Sequence, residues 1–153
     1  SELAFCYLLD QLVEKFGYET PSLEDIFTLL EQLAPQIAEF GTFNYCLSNG
    51  QALFSYATTK LHWIVREYPF QSARLIDLEV EVDFSDVTTS DDRVAVITTE
   101  PLTKNEEWQA YRPGEMILFQ GGRPIKTALT TIDRLIREEK NPELKRITKA
   151  DQY

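Results

Sequence analysis

Few side chains in this sequence have the type and spacing for chemistry. There are two cysteines, Cys6 and Cys46, 40 residues apart in apolar surroundings, and one histidine, His62, set among Lys60, Trp63 and Arg66. A single histidine rules out a His-rich metal site, and a Ser-His-Asp triad would have to be built around His62. Lys60 and His62 alternate with Leu61 and Trp63, so one strand face can carry both, an ammonium and an imidazole suited to an anionic or amide ligand. They are the ligand-binding candidates. The competing reading puts His62 at the edge of the core, hydrogen-bonded and inert, and the residue types favour it. Cys46 has no neighbouring cue for a lowered thiol pKa, so no nucleophile is assigned there. Two cysteines this far apart form neither a disulfide framework nor a metal knuckle. Two buried thiols in a reducing compartment fit better, which points to the cytoplasm.

Other motifs are missing. No phosphate-binding Gly-rich loop, G-x-S-x-G elbow, H-E-x-x-H or C-x-x-C occurs. Asp77, Glu79, Glu81 and Asp83 line up along one strand pattern, and nothing in the sequence is placed to close a cation shell around them, so they read as a solvated face. Trp63 and Trp108 read as packing residues. The residues alone assign no catalytic group, no metal ligand and no cofactor.

The composition sets wider limits. The formal charge of −10 argues against nucleic acid and anionic membranes as partners. No apolar run is long enough to cross a bilayer. Residues 1–59 carry eight acids against Lys15, whereas Arg123–Lys149 carries eight bases against four acids. The basic end could reach back over the acidic front, although a solvated tail is the simpler expectation. The chain opens Ser-Glu and its only methionine is Met116, so a preceding segment is expected.

Several elements must position these residues. Glu2–Phe16 has a helical stripe of Leu3, Leu8, Leu9, Leu12, Val13 and Phe16, capped by Ser1 and ended by Gly17. Ser22-Leu23-Glu24-Asp25 is spaced as a capping box and opens a second helix bearing Ile26, Phe27, Leu30, Leu33, Ile37 and Phe40. Pro35 should kink or split that helix, and the short connection predicts an antiparallel pair. Beyond Gly41 the period becomes strand-like. Phe43–Ser48 and Gln51–Ala57 flank Asn49-Gly50, a type I′ hairpin signal, and Leu61–Val65 extends them to a meander. Leu75–Phe84 alternates strictly and predicts one long strand. Arg93–Thr98 predicts a buried strand. Arg112-Pro113-Gly114 predicts a type II turn, and Gly121-Gly122 joins the strands Glu115–Gln120 and Pro124–Thr127. Thr130–Lys140 predicts a closing helix stopped by Asn141-Pro142. Helices followed by strands argue an α+β fold with a largely antiparallel sheet.

Three phrases carry a resemblance. FNYCLSNGQALFSYATTKLHWIVREYPF and ITTEPLTKNEEWQAYRPGEMILFQGG resemble the later part of the small stand-alone class II glutamine amidotransferases. SELAFCYLLDQL resembles the helix that follows a T-D-S-E motif in that family, with Ser1-Glu2 as the last two residues of the motif. The resemblance runs from Ser1 to about Lys126. It implies that residues 1–127 are the C-terminal portion of such a domain, with 128–153 a helical, basic extension. The implied fold is part of the four-layer αββα N-terminal-nucleophile hydrolase arrangement. The implied activity is hydrolysis of a glutamine or γ-glutamyl amide through an N-terminal Cys thioester, without a cofactor. Those catalytic parts precede Ser1 in the family, so no catalytic residue is carried over to this chain. The expected partners are the amide substrate through the preceding half and a further copy or complementing chain. The alternative is a non-catalytic protein-interaction module built on the same half-fold.

Overall fold

The helical segments follow from local signals that are satisfied on the spot. In the computed structural model, which describes residues 2–70, 72–76, 81–82 (backbone only) and 89–140, the chain divides into two units. One is Ser1–Phe43 with Ala128–Tyr153, and the other is Asn44–Thr127. The first holds α1 (Glu2–Phe16), α2 (Leu23–Ala38) and α3 (Asp133–Lys140). Gly17 closes α1 by donating to the Val13 carbonyl at 2.8 Å. At the start of α2 the Ser22 hydroxyl accepts from the Asp25 amide at 3.1 Å and the Asp25 carboxylate accepts from the Ser22 amide at 3.2 Å, the reciprocal cap its spacing predicts. The Ser22 hydroxyl also donates to the Asp25 carboxylate at 2.6 Å, and this bond, then the one from the Ser22 amide, holds the Asp25 carboxyl below its usual pKa.

Pro35 does not split α2. It forfeits one hydrogen bond, in the last turn, while Ala34 and Ala38 on either side of it stay fully buried and hold that turn in place. The first apolar stripe departs from expectation more sharply. Of α1 only Leu8 is buried, with Leu3 84% and Val13 65% exposed. α2 buries Ile26, Phe27, Leu29, Leu30 and Leu33, but Phe40 beyond its end is 93% exposed. Leu3, Ala4 and Tyr7 share a groove with Gln36, Ile37 and Phe40, so the two helices run antiparallel.

α3 is not a solvated tail. Arg134 donates from Nε to the Ala38 carbonyl at 3.0 Å, which the Gly41 amide also reaches, and from Nη2 to the Gly41 carbonyl at 3.1 Å, fastening the end of α2 and the turn beyond it. Its Nη1 pairs with Glu138 at 2.6 Å, and Arg137 reaches Glu39 at 2.6 Å. Burial alone would push the Glu39 carboxyl up, but the Arg134 amide and the Arg137 guanidinium bring it below the usual range. Asn141-Pro142 and the cap Ser1 lie outside the described residues.

The second unit holds β1 (Tyr45–Ser48), β2 (Leu53–Ala57), β3 (His62–Glu67), β4 (Ala73–Arg74), β5 (Glu81–Val82), β6 (Arg93–Thr98), β7 (Gln109–Ala110), β8 (Glu115–Gln120) and the start of β9 (Arg123–Leu129). Two sheets share a core. A four-stranded sheet has the order β1-β2-β8-β9, and a three-stranded sheet the order β6-β3-β7. Between them pack Ala57, Leu61, Tyr111, Ile117 and Phe119, joined by Trp63, whose ring meets Phe119 edge-on at 5.6 Å. β8 is central in its sheet and buried on both faces, from Met116 to Phe119.

The predicted meander does not form. β2 pairs with β8, and the chain then crosses to the other sheet, where β3 pairs with β6 and β7. Most of the predicted strand Leu75–Phe84 lies outside the described residues; within it Leu75 bridges to Thr103, and Glu81–Val82 runs antiparallel to Ala73–Arg74, paired Ala73 to Val82. Asp77, Glu79 and Asp83 lie outside the described residues. β6 is an edge strand, half-buried rather than buried, with Val94 45% exposed.

Asn49-Gly50 lies at a hairpin, but not as a two-residue turn. Ser48 pairs with Leu53, leaving a four-residue loop in which Gly50 alone has positive φ. The Asn49 side chain makes the loop: its Oδ1 accepts from the Gln51 and Ala52 amides, both at 3.0 Å. The two-residue turn is at Gly121-Gly122, with φ of 57° and 74°. There a Cβ on Gly122 would stand 2.5 Å from the Arg93 carbonyl oxygen, so the turn tip lies against the start of β6. The Arg112-Pro113-Gly114 turn forms as predicted, with Gly114 at φ 86° and Glu115 donating to the Arg112 carbonyl at 2.9 Å.

Candidate functional site

The two candidate residues lie where the chain crosses between the sheets. That crossing, residues 58–61, is pinned by one side chain. Asn44 Oδ1 accepts from the Thr58 amide at 2.9 Å and the Thr59 amide at 3.2 Å, and its Nδ2 donates to the Thr59 hydroxyl at 2.8 Å. The Gly114 and Tyr111 amides donate to the Ala57 and Leu61 carbonyls at 2.7 and 2.8 Å. Lys60 therefore leaves from a fixed loop and His62 from the first position of β3, rather than both from one strand face.

They meet at the end of β6. Lys60 Nζ lies 2.9 Å from Glu100 Oε1, and His62 Nδ1 lies 3.1 Å from the Thr99 carbonyl. A carbonyl only accepts, so Nδ1 carries the proton and Nε2 is left as the second polar atom. The Lys60 hydrogen bond, then its charge and that of His62, hold the Glu100 carboxyl below the usual carboxylate range. Lys60 and Glu100 are 77% and 62% exposed, so solvent screens the pair. Glu100 offsets the charge that Lys60 would offer an anion. The cluster places no nucleophile beside an acceptor position, and the inert reading of His62 fits it better.

The cysteines correct an expectation: both are free thiols and both are exposed. Cys6 lies on α1, and Cys46 lies on the edge strand β1, opposite Ser55. The packed sheet beneath Cys46 pushes its thiol pKa up, the wrong direction for a nucleophile. Among the described residues no group of His, Cys, Asp and Glu could hold a metal ion. Among them, too, no helix is long and apolar enough to cross a membrane.

A network that the sequence reading missed holds the loop carrying Glu100. Arg66 on β3 binds Glu106 through two parallel hydrogen bonds of 2.7 and 2.6 Å, with both side chains largely buried. The Thr103 hydroxyl also donates to Glu106, and Trp108 Nε1 donates to Thr103 at 3.0 Å. Burial alone would raise the Glu106 pKa, but the hydrogen bonds from Arg66 and Thr103 and the Arg66 charge bring it below the usual value. Arg66 and Glu106 are 40 residues apart, and only their shared burial marks them as partners. Trp108 is thus more than packing. A second buried polar pair joins the sheets, Ser55 Oγ to Tyr111 Oη at 2.6 Å, and Ser55 also donates to the Ile117 carbonyl at 3.1 Å.

Comparison with known proteins adds what these groups do not supply. Residues 1–143 match the sequence profile of the class-II glutamine amidotransferases. The chain is 44% identical over 125 residues to YafJ of Escherichia coli K12, provisionally named a glutamine amidotransferase, covering 82% of this chain and 49% of that one. A similarly named Haemophilus influenzae protein is 38% identical over 131 residues, covering 86% and 44%. The crystal structure of a predicted glutamine amidotransferase from Pseudomonas aeruginosa PA01 superposes with a TM-score of 0.72 at 40% identity, over 82% of this chain and 49% of that one. The chain thus spans about half the length of these relatives.

Proposed function

Because the chain belongs to the class II glutamine amidotransferase family, we propose that it is the later half of such a domain, and that the complete domain hydrolyses a glutamine or γ-glutamyl amide in the cytoplasm. The fold is α+β, part of the four-layer N-terminal-nucleophile hydrolase arrangement. The observation carrying the proposal is the match itself, extended in sequence and in backbone, over half of each relative.

In this reading the chemistry starts on the other half. A thiolate at the mature N-terminus attacks the side-chain amide carbon, and its own α-amino group takes up and returns the proton. Ammonia leaves, a thioester remains, and water releases glutamate and restores the thiol. Cys6 and Cys46 sit inside α1 and β1, so neither is that nucleophile. This chain's contribution is the scaffold: two sheets packed on one core and a capped helix pair.

The test compares this chain with a complete domain in which the relatives' other half precedes it. The complete domain should release ammonia from glutamine and be labelled once, at its N-terminal Cys, by an electrophilic glutamine analogue. The chain alone should do neither. A complete domain inert in both assays would overturn the catalytic reading and favour the interaction module, to which the uncovered side chains of α1 also point. Such a module would instead bind a protein partner stoichiometrically.

A further inference from the structure

The first turns of α1 and the end of α2 enclose an apolar groove of about 580 Å³, lined by Leu3, Ala4, Tyr7, Gln36, Ile37 and Phe40. Leu3 and Phe40 stand almost wholly in solvent, at 84% and 93% exposure. Isolated exposed apolar residues are ordinary, whereas a contiguous apolar groove marks a surface meant to be covered. We propose that this groove seats an apolar segment of the half-domain that the relatives carry outside the match, making it an internal joint of the complete domain.

Three observations choose that occupant. The relatives extend over about as much chain again as the match covers, so a body of sufficient size exists. The two helices around the groove are acidic: residues 1–43 hold eight acids and Lys15 as the only base, and of those acids α3 neutralises Glu39 through Arg137. Two copies meeting here would bring like charges together, and an anionic membrane would be repelled in the same way. Finally, the resemblance of SELAFCYLLDQL to the family's post-motif helix brings the preceding half directly into α1, beside Leu3 and Ala4. A tethered segment there works at high effective concentration.

This inference rests on the half-domain reading and is tested apart from its catalytic part. Phe40→Asp should leave the melting midpoint of this chain alone unchanged, because the side chain is already in water. In the complete domain it should lower the midpoint by about 5 °C. Hydroxyl-radical footprinting needs no variant: Tyr7 and Phe40 should oxidise several-fold more slowly in the complete domain than in this chain alone. Unprotected Tyr7 and Phe40, or no shift from Phe40→Asp in the complete domain, would overturn the proposal. So would a dimer of the chain alone that Phe40→Asp abolishes, since the occupant would then be a second copy. A complete domain that protects Phe40 but releases no ammonia would sink the catalytic reading and leave the joint standing.

Discussion

The two long helices carry comparable apolar stripes in sequence, yet they have different fates in the structure. α2 buries seven residues, Phe27, Leu30, Ala34 and Ala38 completely, while α1 buries Leu8 alone. Periodicity fixes which side of a helix is apolar. It does not fix what covers that side. α2 is also tied at both ends, by Ser22 and Asp25 at its start and by Arg134 at the Ala38 carbonyl, whereas the end of α1 is closed by the Gly17 and Glu19 amides alone among the described residues.

Substitutions can sharpen this contrast, the strongest first. Leu30→Ala removes a fully buried side chain and should cost about 4 kcal/mol, read as a fall in the urea midpoint at unchanged slope. Glu106→Gln breaks the largely buried pair with Arg66 and should cost about 3 kcal/mol at neutral pH. The sign with pH follows from the lowered Glu106 pKa. Its contribution is present above the unfolded carboxylate value, about 4.3, and is lost as pH falls through the lower folded value. The variant should therefore lose less stability than the parent between neutral pH and pH 3, and an equal loss in both would remove Glu106 from the acid response. Tyr111→Phe should cost only about 1 kcal/mol, because Ser55 keeps its bond to the Ile117 carbonyl. Val13→Ser on α1 should change stability by less than about 0.5 kcal/mol. A loss like that of Leu30→Ala would show the α1 stripe covered and erase the contrast.

What was legible in the sequence was local. The Ser22–Asp25 cap, the Pro113-Gly114 turn and the Gly121-Gly122 hairpin each depend on residues within a few positions, and each forms as read. What failed was set at a distance. The sequence places β2 beside β3 as plausibly as beside β8, but only the pairing with β8 buries both faces of Glu115–Phe119. The letters Asn-Gly suit two different loops, and the Ser48–Leu53 register selects the longer. Leu75–Phe84 alternates well, yet Glu81–Val82 pairs with Ala73–Arg74 just ahead of that stretch, which alternation cannot announce. Cys6 and Cys46 sit among apolar letters but on uncovered surfaces. Of the candidate site, the sequence named Lys60 and His62, but Glu100, which occupies the ammonium, was invisible at 40 residues' distance. Family membership was legible for another reason: whole phrases carry it, independent of how any single residue is packed.

The hairpin tip at Gly121-Gly122 puts two identical letters under unequal constraint. Both need positive φ, but space around Gly121 is open, so an asparagine there meets only its own modest conformational penalty. Gly122 faces backbone, the Arg93 carbonyl, which cannot swing aside as a side chain would. Any larger residue there must pry the hairpin from β6. In a mutational library, position 121 should therefore tolerate change and position 122 should admit almost nothing, an asymmetry that reports the seam between the two sheets without a structure in hand.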